Sequence, residues 1–143
     1  MKRQILICGS RRLLSENLID RARSAVWRVW HKGDDLLVGD ALGIDAIVVL
    51  TAEQLRLHYM CYGVSLVARN GAKRYSNVQR QLKHGTLRAR YRMRDEWMIE
   101  RADIVLAFWN GQSNGTKYCY EYAKAEGKVA YLVGEDGVIE TNG

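Results

Sequence analysis

The chain of 143 residues contains no run approaching the roughly 18 uncharged apolar residues that a membrane-spanning helix needs. Its opening, MKRQILICGS, holds only the short apolar run Ile5 to Cys8, too brief for the apolar centre of a secretion signal. Both absences lead to the expectation of a soluble, cytoplasmic protein with no membrane partner. Cysteine is scarce as well. Cys8, Cys61 and Cys119 form an odd set at wide spacings, so no disulfide framework and no paired-thiol metal or redox motif can be read from them. Reduced, buried thiols are expected. His31, His58 and His84 stand singly, without a carboxylate or cysteine at ligand spacing, and no metal site is assigned. No cofactor is assigned either.

Acidic residues are missing from one long segment. Between Arg69 and Arg94 the chain has nine Lys or Arg and neither Asp nor Glu, whereas the remainder carries thirteen basic against sixteen acidic residues. The net charge of +6 is therefore local. A uniformly basic surface would suit nonspecific nucleic-acid binding; one basic segment on a mildly acidic body suits one anionic partner at one place. A connection this long is also unusual inside a compact domain, so residues 69–94 are expected to form a lid, an insertion or an oligomer contact.

The rest of the sequence reads as one ordinary globular domain, 48% hydrophobic and 27% charged. Hydrophobic periodicity alternates along it. Gln4 to Gly9 is a buried strand, and Ser15 to His31 has apolar residues at 18, 22, 25, 26 and 29, which is helical spacing. The cycle repeats with a strand at Leu36 to Gly39, a helix from Leu42 to about Leu57, and a third strand from Cys61 to Ala68. A short helix near Asp95 to Arg101 precedes the doubly apolar run Asp103 to Trp109, the pattern of a central parallel strand. Thr116 to Glu126 is helical again, Lys128 to Val133 is the fifth strand, and Asp136-Gly137 is a turn before a short terminal strand or tail. Strands alternating with helices imply a three-layer, Rossmann-like α/β fold with a five-stranded, mostly parallel sheet.

In such sheets ligands bind beyond the carboxyl ends of the strands. Three of those ends carry glycine-bearing turns into helices: Gly9-Ser10-Arg11, then Gly39-Asp40-Ala41-Leu42-Gly43-Ile44-Asp45, then Gly111-Gln112-Ser113-Asn114-Gly115-Thr116. Backbone amides at helix starts approach anions closely, so the three turns together form a candidate anion cradle. Sharper motifs fail. The dinucleotide fingerprint GxGxxG is absent after the first strand, and Gly111 to Lys117 has the wrong spacing and order for a Walker A loop. Gly111-x-Ser113-x-Gly115 matches GxSxG, but every histidine precedes Ser113 in the chain, against the order of that hydrolase triad.

The order of these motifs, with Arg94-Asp95-x-x-Met98 ahead of Ala102-Asp103 and with Ala123-x-x-x-Gly127-Lys128-Val129 near the end, resembles the SLOG superfamily of Rossmann-like proteins across nearly the whole chain. More distantly it is similar to the LOG-type phosphoribohydrolases, and in its C-terminal part to nucleoside 2-deoxyribosyltransferases. The resemblance implies a site for a nucleotide-derived small molecule. Gly9, Ser10 and Arg11 would approach a phosphate or ribose, Asp45 would fix a ribose hydroxyl or brace its own turn, and Ser113 to Thr116 would bind phosphate at a helix start. Arg94 falls at the catalytic or phosphate-binding arginine of the phosphoribohydrolases. One position departs from the pattern: where both enzyme families place a catalytic Glu, this chain has Cys119. Glu121 is two residues further on, about 200° around a helix, and is only a weak catalytic candidate.

Intact phosphate turns without that carboxylate point to a binding module for an ADP-ribose-like or cyclic nucleotide derivative, acting as sensor, carrier or sequestering protein. Two alternatives stand beside it. One is an N-glycosidase acting on nucleoside monophosphates with Glu121, Asp95 or Glu96 as the acid. The other is single-stranded nucleic-acid binding through residues 69–94 with Tyr75 and Tyr91 as stacking platforms, a role that SLOG-like domains in recombination mediators resemble. Arg80, Lys83 and Arg88 are placed opposite a neighbouring subunit's ligand. Trp27, Trp30, Tyr118, Tyr120 and Tyr122 exceed what one small core readily hides, so a homo-oligomer is expected.

Overall fold

Ile5, Leu6, Ile7 and Cys8 are apolar on both faces because β1 (Gln4–Gly9) runs through the middle of the sheet, where no side chain meets water. The computed structural model, which describes residues 2–143, adds β2 (Asp35–Gly39), β3 (Tyr59–Gly63), β4 (Tyr75–Asn77), β5 (Ile104–Phe108), β6 (Val129–Gly134) and β7 (Gly137–Asn142). They lie in the order β4, β3, β2, β1, β5, β6, β7, parallel throughout except for the antiparallel β6–β7 hairpin.

The sheet is larger than the five strands expected, and the two extra strands are its edges. β4 lies inside the basic segment, and its three residues have a strand's backbone because Cys61 to Gly63 pair with them. β7 follows the turn at Asp136-Gly137 and covers the open edge of β6. The third strand is also shifted. It starts at Tyr59 and stops at Gly63, so the apolar residues Leu66 and Val67 are exposed in a bend instead of continuing to Ala68.

Helices cover both faces. α1 (Glu16–Val29) is capped by Ser15, whose hydroxyl accepts the Leu18 N–H at 3.1 Å, and it lays Leu18, Ala22 and Val26 on the sheet as one stripe spaced four residues apart. Burying a side chain such as Leu18 stabilises by roughly 1.5–3 kcal/mol. α2 (Ile44–Gln54) packs beside α1 on that face. α3 (Leu87–Arg101) and α4 (Asn114–Ala125) cover the other face against Leu6, Leu37 and Val105. Thr86 caps α3 by accepting the Ala89 N–H, so this helix begins at Leu87, not Asp95, and takes up the last third of the basic segment. Four helices leave part of a seven-stranded sheet bare: beside α1, the β5–β6–β7 side forms an apolar groove of about 650 Å³ lined by Ile104, Tyr131, Val133 and Val138.

All three cysteines are free and buried. The crowd of aromatics on α4 is partly internal, since Tyr120 is fully buried and Tyr118 and Tyr122 are half-buried, their hydroxyls donating to Glu96 and Glu100 of α3. Trp30 is half-buried and Trp27 exposed. Among the described residues no helix is long and apolar enough to cross a membrane.

Candidate functional site

The order of the strands reverses at β1: the chain moves from β1 to β2, β3 and β4 on one side, then returns to place β5 on the other. Connections leaving β1 and β5 therefore diverge, and a crevice opens between them at the carboxyl ends of the strands. A pocket of about 770 Å³ occupies that place. The turn after β1 supplies Gly9, Arg11 and Arg12 as one wall, and Asn110 with Ser113 to Thr116 at the start of α4 forms a second. The first half of α3 closes the top with Arg88, Tyr91 and Arg92, and Cys8, Asp45 and Cys119 lie at the floor.

The turn from β5 into α4 is held by its own side chains. Asn110 Oδ1 accepts the N–H groups of Gln112 and Ser113, both at 2.9 Å, and its amide donates to the Arg12 carbonyl at 2.8 Å. Ser113 Oγ caps the helix by accepting the Thr116 N–H at 3.3 Å and lies 2.9 Å from Thr116 Oγ1. Ser10 ties this turn to the one after β1: its Oγ accepts the Asn110 N–H at 3.1 Å and lies 3.3 Å from the Thr116 hydroxyl. Helix geometry leaves the remaining first-turn N–H groups of α4, those of Asn114 and Gly115, without intrahelical acceptors. Gly115 stands beside open space, so an oxyanion can approach those amides.

Behind the pocket lies a buried charge cluster. Asp40 is wholly buried; Arg69 donates to it from Nε at 3.1 Å, Nη2 at 2.8 Å and the backbone N–H at 3.1 Å, and Arg94 Nη1 donates at 3.0 Å. Burial works to raise the Asp40 carboxyl, but the hydrogen bonds from Arg69 and both guanidinium charges hold it below the usual range. Arg94 also donates from Nη1 to the Tyr62 carbonyl and from Nε to Asp95, both at 2.8 Å. Desolvation alone would lower Arg94, yet Asp95, Asp45 and Asp40 surround it and keep it charged. Such packing needs glycine at position 39, because a Cβ there would sit 2.6 Å from Asp45 Oδ2 and 3.1 Å from the Arg94 guanidinium. Gly43 serves similarly. At φ +77° it brings the start of α2 against the Arg11 backbone, 2.6 Å from where a Cβ would lie.

The structure thus gathers Gly9, Arg11, Asp45, Ser113, Asn114, Gly115 and Thr116 around one pocket. Arg94 lines it too, with its Nε and Nη1 engaged by Asp95, Asp40 and the Tyr62 carbonyl, so it is a buried, paired charge and not a solvated one. Ser10, Gly39, Asp40 and Gly43 stand behind the lining and hold it in place, and Gly111, at φ +87°, lies outside. Glu121 is exposed, bonded to Lys117 at 3.0 Å, and does not reach the pocket. Of the other two acids considered, Glu96 is not in the lining but accepts the hydroxyl of Tyr118, which is, and Asp95 lines the pocket with one oxygen taken by Arg94. Cys119, where the enzymes carry Glu, is a buried thiol raised well above its ordinary value by contact with Cys8 and by burial. Among the described residues no cluster of His, Cys, Asp and Glu could hold a metal ion.

Sequence reasoning missed Arg12, Arg69 and Arg92, offered Tyr91 only as a stacking platform for nucleic acid, and placed Arg88 toward a neighbouring subunit when it faces this chain's own pocket. Arg80 and Lys83 do not line this pocket. Tyr75 is half-buried, with its hydroxyl donating to the Ser65 carbonyl at 2.6 Å, whereas Tyr91 lies at the pocket with the Arg69 guanidinium 3.9 Å from its ring centre. A signal for this wall exists in the sequence: positions 88, 91, 92 and 95 share one helical face once Thr86 is taken as the cap.

Neither a family model nor any curated protein matches the chain. Solved structures do. The molybdenum cofactor binding protein from the phototrophic bacterium Rippkaea orientalis superposes with a TM-score of 0.68 at 15% identity, covering 94% of this chain and 77% of its own. The molybdenum cofactor carrier protein of Chlamydomonas reinhardtii gives 0.69 at 16% identity over 93% and 77%. DNA processing protein A from Helicobacter pylori, described in a single-stranded DNA binding mode, gives 0.62 at 16% identity over 92% of this chain and 65% of its own. At this identity the likeness is one of fold: the chain shares the Rossmann-like α/β architecture of these proteins, with its pocket at the strand-order reversal.

Proposed function

We propose that this protein captures a nucleotide-derived small molecule carrying more than one negative charge, ADP-ribose-like or cyclic, at the carboxyl edge of its sheet, as a carrier, sensor or sequestering protein. One observation carries the reading: the open helix start of α4 and the exposed arginines 11, 12, 88 and 92 face one pocket from opposite walls. Oxyanions on a ligand spanning the pocket would meet amides at one end and guanidinium groups at the other. Cys119 in place of the enzymes' Glu, with Glu121 outside the pocket, favours holding such a ligand intact over cleaving its glycosidic bond. Structural neighbours that bind a small cofactor support capture of this kind. Calorimetric titration with AMP, ADP-ribose, NAD and cyclic nucleotides is expected to find a ligand of micromolar affinity or better, weakened at least tenfold by charge reversal at Arg88 and Arg92. No heat from any member of that panel would refute the reading.

A second reading is favoured by the DNA-binding neighbour and by the exposed Lys73, Arg74, Arg80 and Lys83 outside the pocket. Single-stranded DNA neutralised along such a surface would lose affinity steeply with salt, whereas a pocket ligand loses it weakly. The expected homo-oligomer remains part of the proposal, with exposed Trp27 as a candidate contact, and sedimentation velocity of wild type and Trp27→Lys tests it.

A further inference from the structure

Asp45 is a carboxyl at the pocket floor with one oxygen that no group among the described residues satisfies. It stands in the first turn of α2, is 5% exposed, and lines the pocket. Its Oδ2 accepts the Ala41 N–H at 3.3 Å, and its Oδ1 is buried with no hydrogen-bond partner. Buried polar atoms are normally hydrogen-bonded, so the unpaired Oδ1 calls for a partner from outside the fold. Each element packed against it contributes charge or a titratable group: Asp40 from the end of β2, the Cys61 thiol from β3, and Arg94 and Asp95 from α3. Arg94 directs its hydrogen bonds to Asp40, Asp95 and the Tyr62 carbonyl, none to Asp45. Burial comes first and the neighbouring carboxylates add to it; against the Arg94 charge, they push Asp45 up to about 7. Cys61 is pushed up to about 12 by burial and stays a thiol, and no histidine lines the pocket. Asp45 lines the pocket and changes charge near neutrality.

We propose that Asp45 takes up one proton from solvent when an anionic ligand enters and donates it, as the O–H on Oδ1, in a hydrogen bond to an acceptor oxygen of that ligand. Oδ1 is the oxygen left over, since Oδ2 already accepts from Ala41. An anion in the pocket further disfavours the ionised carboxylate, so loading and protonation reinforce each other. The ligand class that fits is a phosphate diester or pyrophosphate, which keeps its charge at neutral pH and offers acceptor oxygens. This inference rests on the anion-capture reading above and adds a discriminating contact to it.

The probe is ADP-ribose, because its phosphates do not titrate between pH 6 and 8, whereas a phosphate monoester has a second pKa of about 6. Calorimetry at pH 6, 7 and 8, each in two buffers of different ionisation enthalpy, measures affinity and proton exchange together. With Asp45 at about 7 in the free protein, affinity is expected to fall about tenfold from pH 6 to pH 8, and uptake to rise from about half a proton at pH 7 toward one at pH 8. Asp45→Asn is expected to abolish the uptake and flatten the profile. The wild-type measurement stands alone should that variant fail to fold. Binding without proton exchange, or affinity rising with pH, overturns the inference and leaves anion capture intact. Failure of ADP-ribose to bind at any pH overturns the inference, and failure of the whole nucleotide panel overturns both.

Discussion

Replacing Arg94 with Met separates a structural arginine from a ligand-binding one. Arg94 is 4% exposed and makes three internal hydrogen bonds of 2.8–3.0 Å, to Asp95, Asp40 and the Tyr62 carbonyl. Met fills much of the same volume, so packing changes little, but Asp40 loses one of its two guanidinium partners and Tyr62 keeps an unbonded carbonyl. Removing one member of a buried ion pair costs about 3–5 kcal/mol, because the remaining charge stays desolvated. Arg69 still neutralises Asp40, which places this case toward the lower end, about 3 kcal/mol. Domains of this size have roughly 5–15 kcal/mol in total, so the variant is expected to fold with a Tm lower by roughly 6–12 °C. Urea denaturation at pH 7 gives the free energy, and Arg94→Met combined with Asp40→Asn is expected to regain part of it. A loss below about 1 kcal/mol with folded protein would refute the assignment. If ligand affinity collapsed at unchanged stability, Arg94 would belong to the ligand instead.

Other positions yield expectations of the same kind. Asp34 is buried and held at about 2, chiefly by the Arg3 guanidinium at 2.7 Å, against an unfolded value near 3.8. Its folded value is depressed, so its stabilisation is complete above about pH 4 and lost as pH falls toward 2; pH-dependent urea unfolding of Asp34→Asn should lack about 1–2 kcal/mol of the acid-sensitive stability, allowing for the part-exposed Arg3. Gly39→Ala is expected to destabilise by about 1–3 kcal/mol in thermal unfolding, since its Cβ meets Asp45 and Arg94, neither free to move, whereas Gly111→Ala finds open space and costs only about 1 kcal/mol for its left-handed backbone. Ser10→Ala leaves the Asn110 N–H unpaired and should cost about 1–3 kcal/mol by denaturant titration, while weakening ADP-ribose binding because the two turns are no longer tied.

Much of the fold could be read along the chain because its strongest signals are local. β1 and β5 are apolar on both faces wherever they sit, and Ser15 starts the first helix by a local cap. β4 had no such signal, because Tyr75 to Asn77 becomes a strand only through pairing with Cys61 to Gly63. Leu66 and Val67 misled for a related reason: they carry strand-forming side chains, but the sheet ends beside Gly63, where Asp40 and the Tyr75 hydroxyl fill the space. α3 reads as a shorter helix because five basic residues, from Arg88 to Arg101, obscure its apolar spacing.

The alternation of strands and helices and the glycine turns at three strand ends are properties of neighbouring residues, and they determined the architecture and where a candidate site lies. Whether a charge in that site meets a ligand or another side chain depends on groups brought in from far along the chain. Asp40 and Arg94 are 54 positions apart, and no periodicity records that they touch. Folding therefore decided that Arg94 is an internal counterion, that Arg88 and Arg92 face this chain's own pocket, and that Asp45 keeps one oxygen unclaimed, because desolvation and pairing are set by three-dimensional neighbours.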